Sequence, residues 1–195
     1  MPSSIRPPRR VETPSFVLRP WERRDAEKLS EAVIESQSDL VQWLPWATGD
    51  LSPTAYISVI DAFIAAWDDG RDFVYGIVDH DDRVLGGTGL HLRRGPTTME
   101  IGYWVRSSRT GEGIATAVTT ALIDTAFTLP EISDVAVAVD VENERSASIP
   151  TRLGFKIRET IPAERHATRA SGWHNIFVIE RSEWVRRSND GSTAP

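Results

Sequence analysis

The sequence predicts an α/β (α+β) protein built on one mixed sheet of about seven strands with helices on its faces. Strand-like and helix-like stretches interleave in the order β-α-α-β-β-β-α-β-α-β-β. Two of the helical stretches begin at a residue suited to a helix start, Ser52-Pro53 in one and the Gly111/Gly113 pair in the other. The chain has 195 residues, 40% hydrophobic and 26% charged, which fits one globular domain long enough to bury a core.

FVLRP (16–20) reads as the first strand, and Asp25 then precedes a helix on which Leu29, Val33, Ser36 and Leu40 share a face. LSPTAYISVIDAFIAAWDDG is the clearest helix. Ser52 can cap it, Pro53 suits the first helical position, Ile57, Ile60, Ile64 and Trp67 recur as a buried stripe, and Gly70 ends it. FVYGIVD (73–79) and RVLGGTGLHL (83–92) flank the polar tip HDD as a hairpin, and MEIGYWV (99–105) adds the next strand. From Ile114, the residues Ala117, Val118, Ala121 and Leu122 keep helical spacing to about Leu129. DVAVAVDVE (134–142) alternates as a strand, SIPTRLGF forms a short helix stopped by Gly154, and KIRET (156–160) and NIFVIE (175–180) complete the sheet.

Residues 15–187 make up the folded domain on this reading. The polar segments 1–14 and 188–195 have little to bury and are predicted to be mobile. The absence of cysteine excludes disulfides and thiolate chemistry. No run reaches the roughly 18 apolar residues of a membrane span, and MPSSIRPPRR lacks the apolar stretch of a secretory signal. These features favour the cytoplasm and no membrane partner. A net charge of −6, from 28 acidic and 22 basic residues, argues against a nucleic-acid partner.

RTGEGIAT (109–116) carries two glycines between a strand and a helix. Glycines let a backbone approach a bulky anion, and backbone N–H groups at a helix start attract negative charge. The stretch is not a P-loop, which needs GxxxxGK[ST]. Nor is it a Rossmann fingerprint, since GEGIAT ends in threonine and lies too far from the strand. Alone it is equally well an ordinary strand-to-helix turn. The histidines show no HExxH spacing, and Asp79, Asp81 and Asp82 form a turn around His80 and no calcium loop, so no metal is implied.

Thr110-Gly111-Glu112-Gly113-Ile114-Ala115 resembles the coenzyme A loop of the GNAT acetyltransferases, Gln/Arg-x-x-Gly-x-Gly/Ala, with Thr110 in place of the usual Gln/Arg and Arg109 beside it. NERSASIPTRLGF (143–155) resembles the family's Asn-x-x-Ser…Leu-Gly-Phe segment, and MEIGYWV its Glu-x-Gly-Tyr-Trp strand. FVLRPWERRDAEKL and DLVQWLPW are similar to the opening of the ribosomal-protein (Rim-type) branch, so the resemblance runs from about Val17 to Trp184.

The resemblance implies a mostly antiparallel sheet whose strands 99–105 and 134–142 splay apart to admit pantetheine. It implies acetyl-coenzyme A as acetyl donor, held by Trp104, Val105, Arg106, Arg109, Thr110, Gly111, Glu112, Gly113, Ile114, Ala115 and Thr116, with Asn143 and Ser146. An amine, either a peptide amino terminus or a small molecule, would attack the thioester directly, in keeping with the missing GxSxG elbow. Ser146 matches the serine that donates a hydrogen bond or proton to sulfur, although it is also placed to cap the helix that follows. Glu100 and Glu35 are candidate bases, and Tyr103 is a candidate proton donor or core aromatic. Trp43, Trp46 and His91 would wall the acceptor pocket, and His166 and His174 lie near a hairpin that shapes its entrance. Alternatives are transfer of a longer acyl group such as succinyl, or a coenzyme A-binding module without turnover. Dimers are common in the family; Trp184 could pack across an interface or finish the monomer's own core.

Overall fold

A computed structural model describes residues 5–70, 72–165 and 167–189. The elements are β1 (Val11–Glu12), β2 (Val17–Pro20), α1 (Ala26–Leu40), α2 (Pro53–Asp69), β3 (Asp72–Val78), β4 (Val84–His91) and β5 (Thr98–Val105), followed by α3 (Ile114–Phe127), β6 (Asp134–Asp140), α4 (Glu144–Arg152), β7 (Lys156–Pro162), β8 (Trp173–Glu180) and α5 (Arg181–Asn189). They form an 8-stranded sheet in the order β1-β2-β3-β4-β5-β6-β8-β7. Every neighbouring pair is antiparallel except β5 and β6, which are parallel.

Local signals act where expected. Ser52 accepts a hydrogen bond from Ala55 N (3.2 Å) and Gly70 ends α2 at φ 67°. The buried stripe of α2 is Tyr56, Ile60 and Trp67, whereas Ile57 is exposed. One residue is a 100° turn of a helix, and the packing of α2 beside α1 decides which of the two adjacent residues faces inward. One face of the sheet carries α1 and α2, which bury Trp21, Leu29, Val33, Leu40, Tyr56 and Ile60. A larger apolar layer gathers Phe73, Tyr75, Leu90 and Ile101 of the sheet with Val118, Leu122 and Ile123 of α3.

Two elements depart from the sequence reading. The stretch to Pro14 is not set apart from the domain over its described part: Ile5 is buried, Tyr75 Oη donates to Pro8 O (2.9 Å), and β1 pairs with β2. Helix α5, which is too polar to show an apolar period, is anchored by Trp184. That side chain is buried within its own chain and its indole N–H donates to Asp124 Oδ1 (2.7 Å), so Trp184 finishes the monomer's core. Of the tail from Ser188, residues 190–195 lie outside the described part. Among the described residues no helix is long and apolar enough to cross a membrane.

Candidate active site

Strands β5 and β6 pair only at Thr98–Asp134, Met99–Val135 and Glu100–Ala136. Beyond those positions Ile101–Val105 and Val137–Asp140 run on without pairing to each other, and the gap opens into a cleft of about 2370 Å³. Arg106 N donates to Leu85 O (2.8 Å). Successive strand residues turn their backbone groups to opposite edges, so Trp104 and Arg106 face β4 while Tyr103 and Val105 face the gap. On the other side Val141 N donates to Trp173 O (3.1 Å), which by the same alternation turns Ala138 towards the gap. Two strand edges thus offer free backbone groups to an extended ligand. Of the expected Trp104, Val105 and Arg106, only Val105 turns its backbone groups to the gap, with Tyr103 beside it; those of Trp104 and Arg106 are turned to β4.

At the mouth of the cleft lies the glycine loop. Gly111 and Gly113 sit at φ 86° and 78°, a region in which only glycine is comfortable. A Cβ at either position would meet nothing within 4 Å, so both glycines border open space. Gly113 is the N-cap of α3 and has no side chain to satisfy the first-turn N–H groups of Ile114, Ala115 and Thr116. The loop is therefore a free set of backbone donors at a positive helix end, which fits a diphosphate. Thr110 Oγ1 is turned back to Ser107 O (2.8 Å), and Arg109 is held by Glu112 through Nε (2.8 Å to Oε1) and a terminal nitrogen (2.8 Å to Oε2).

At the inner end, Asn143 caps α4 by accepting from Ser146 N (3.1 Å). The cap is Asn143 and not Ser146, because α4 begins at Glu144, earlier than its apolar residues indicate. Ser146 is left with its hydroxyl 3.2 Å from Tyr103 Oη, which also donates to Ser146 O (3.2 Å). Burial pushes the Tyr103 phenol up to about 12, so it stays protonated at neutral pH.

The side of the cleft next to the end of α1 is bridged. The segment after β7 crosses to the end of α1, where Arg169 N donates to Gln42 O (3.0 Å) and the Arg169 guanidinium lies 5.2 Å from the centre of the Trp43 ring. Asp140, buried at the end of β6, accepts from Glu142 N and Ser171 N (both 2.9 Å) and so ties down the other end of that crossing. His174 stands directly opposite Asp140 in the β6–β8 register and lines the cleft.

The structure brings together Trp43, Tyr103, Trp104, Val105, Arg109 to Thr116, Asn143, Ser146 and His174 along this one cleft. It separates the rest. Glu35 does not line the cleft; it accepts from Arg106 Nε (2.6 Å) and Ser108 N (3.2 Å), and the Arg106 guanidinium holds its carboxyl down at about 2. Arg106 is correspondingly committed to Glu35 and Glu31 in a second surface groove. Glu100 is paired with Arg94 and His91 with Asp72 (2.8 Å), and neither lines the cleft. Trp46 does not line it either and stands edge-on to Trp104, 6.1 Å between ring centres. His80 meets Pro14 O (3.1 Å), and His166 lies outside the described residues. Sequence reasoning missed Asp140, Arg152 and Arg169; only the alternation of DVAVAVD, which ends in a charged residue, hinted at the first.

Comparison with known proteins agrees with this architecture. Residues 15–156 match the family described as "Acetyltransferase (GNAT) domain". YdaF of Bacillus subtilis (strain 168), provisionally assigned as a ribosomal N-acetyltransferase, is 34% identical over 142 residues, covering 72% of this chain and 77% of the relative. Mycobacterium smegmatis RimJ in complex with CoA-disulfide superposes with a TM-score of 0.82 at 25% identity, covering 96% of this chain and 98% of that one. A structure of RimL, the ribosomal L7/L12 α-N-protein acetyltransferase, in complex with coenzyme A gives 0.79 at 18% identity, with 88% and 97% covered, and shows the shared fold. Acetyl-coenzyme A is the acetyl donor of this family. The chain belongs to the GNAT acetyltransferase enzymes, on their ribosomal-protein N-acetyltransferase-like side.

Proposed function

We propose that this enzyme transfers the acetyl group of acetyl-coenzyme A to a primary amine, with a protein amino terminus as the acceptor. The observation that carries the reading is the unpaired stretch of β5 and β6, with open amides at its mouth and the Tyr103–Ser146 pair at its inner end. Acetyl-coenzyme A supplies an activated acyl group on a good leaving sulfur. Val105 and Tyr103 offer backbone groups to the donor's arm, and an N–H aimed at a carbonyl oxygen that gains charge contributes roughly 2–4 kcal/mol. Ser146 offers a hydroxyl proton towards the departing sulfur, and Tyr103 supports that hydroxyl from behind. Asn143 holds the start of α4, and hence Ser146, in place.

With Glu35 and Glu100 committed to arginines away from the cleft, neither is retained as the proton acceptor. The bridged acceptor side favours a slim amine, and the name of YdaF favours a ribosomal-protein terminus. The test is release of free thiol from acetyl-coenzyme A in the presence of amino-terminal peptides and small amines, with succinyl-coenzyme A as a second donor. Turnover with peptides and not with small amines supports the reading. Coenzyme A binding without thiol release for any acceptor defeats it in favour of a binding module.

A further inference from the structure

We infer that Arg152, on α4, supplies the diphosphate-binding cation that the glycine loop itself lacks. The inference rests on the coenzyme A reading above and extends it to a residue outside the loop.

The loop is poor in free positive charge. Thr110 opens it with a neutral side chain whose hydroxyl is bonded back to Ser107 O (2.8 Å), and Arg109 is closed by a two-pronged pair with Glu112. The other cleft arginines are also engaged: Arg10 with Glu12 (2.8 Å), and Arg169 with Gln42 and the Trp43 ring. Arg152 differs. Its terminal nitrogen reaches across to the first turn of α3 and donates to Thr116 Oγ1 (3.2 Å), and it makes no ion pair with a carboxylate among the described residues. Arg145 also lacks a carboxylate partner but lies seven residues earlier on α4, about 10 Å along the axis.

A cation held against the positive end of a helix is disfavoured when it stands there alone. Arg152 does gain from the negative end of its own helix, where it occupies the last turn, yet its side chain is turned to α3. An anion lying over the Gly111–Thr116 donors removes the conflict, because it is attracted by the α3 amides and by the guanidinium together. The forked guanidinium suits two phosphate oxygens, and Thr116 Oγ1 sets where that fork rests. Arg152 is 36 residues from Thr116 in the chain, so only the fold brings the two together.

The experiment compares wild type, Arg152→Gln and Arg152→Lys, with coenzyme A binding measured by calorimetry and turnover measured with acetyl-coenzyme A and with S-acetylpantetheine, which has no diphosphate. Arg152→Gln is expected to raise the Kd for coenzyme A about tenfold and Arg152→Lys by less, while turnover of S-acetylpantetheine stays at the wild-type rate. Retained turnover of the truncated donor also shows that the variant is folded. An unchanged Kd for Arg152→Gln overturns the inference. Equal losses with both donors overturn it too, since they show a structural role for Arg152. Failure of the wild type to bind coenzyme A at all overturns the underlying reading and the inference with it, and is distinguishable from the other two results.

Discussion

Tyr103 Oη lies 3.2 Å from Ser146 Oγ and the same distance from Ser146 O, which joins the free end of β5 to the first turn of α4 across the open sheet. When the phenol proton is shared with Ser146 Oγ, the serine hydroxyl keeps its own proton free to donate to whatever occupies the gap. Ser146→Ala is therefore expected to lower kcat by one to two orders of magnitude with little change in the KM for acetyl-coenzyme A. Tyr103→Phe should cost less, and the double variant should be no worse than Ser146→Ala. Such non-additivity marks a shared network. A kcat for Ser146→Ala within twofold of wild type would remove Ser146 from the chemistry.

Gly113 sits at φ 78° with open space where a Cβ would go. Gly113→Val places a β-branched side chain in a conformation it resists, at roughly 1–2 kcal/mol, and fills the cradle above α3. Coenzyme A affinity should fall more than tenfold, and the melting temperature should drop by a few degrees. Affinity equal to wild type would show that the diphosphate does not rest on this loop.

Glu35 links stability to pH. Its carboxyl is held at about 2 by Arg106 and Ser108, below an ordinary unfolded-state value near 4.3. A carboxylate lowered in the folded state contributes stability that is fully present above the unfolded value and is lost as pH falls from about 4.3 towards 2. Because the side chain is one-third open to solvent (33%), screening reduces this to about 1 kcal/mol. Glu35→Gln should be less stable at pH 7 by that amount and should lose less on acidification, as read from urea midpoints between pH 7 and 3. Parallel pH profiles for the two proteins would contradict the assignment.

The Arg169–Trp43 contact, 5.2 Å from guanidinium to ring centre, lines the cleft on the side proposed above for the acceptor. Trp43→Ala and Arg169→Ala are expected to raise the acceptor KM several-fold and to leave the Kd for coenzyme A unchanged. The contact itself contributes about 0.5–1 kcal/mol, so both variants should fold. A shift in coenzyme A affinity with no shift in acceptor KM would place these residues on the wrong side of the reaction.

Legibility in the sequence followed distance along the chain. The turn at Gly111 and Gly113 and the start of a short helix near Asn143 and Ser146 were legible because backbone conformation and caps act within a few residues, although the cap itself fell on Asn143 and not on Ser146. Glu35 and Glu100 were misplaced for the opposite reason. An acidic residue in a suitable stretch looks like a base until its arginine is known, and Arg106 is 71 residues from Glu35. Arg94 is nearer to Glu100, six residues away, but the turn that folds it back has no spacing signature.

By itself the sequence determined the strands and helices from Val17 to Glu180, the order in which they follow, and the glycine loop with its bare amides; β1 and α5 escaped it. Periodicity, caps and glycines act over one or two turns, and those forces are complete within a short window of chain. The tertiary structure decided which faces turned inward, as with Tyr56 in place of Ile57, and that β5 and β6 part after Glu100 and Ala136. It also decided which charged groups are neutralised and which, like Arg152, are held at the cleft, because pairing depends on which residues distant in the chain the packed sheet and helices bring within a few ångströms.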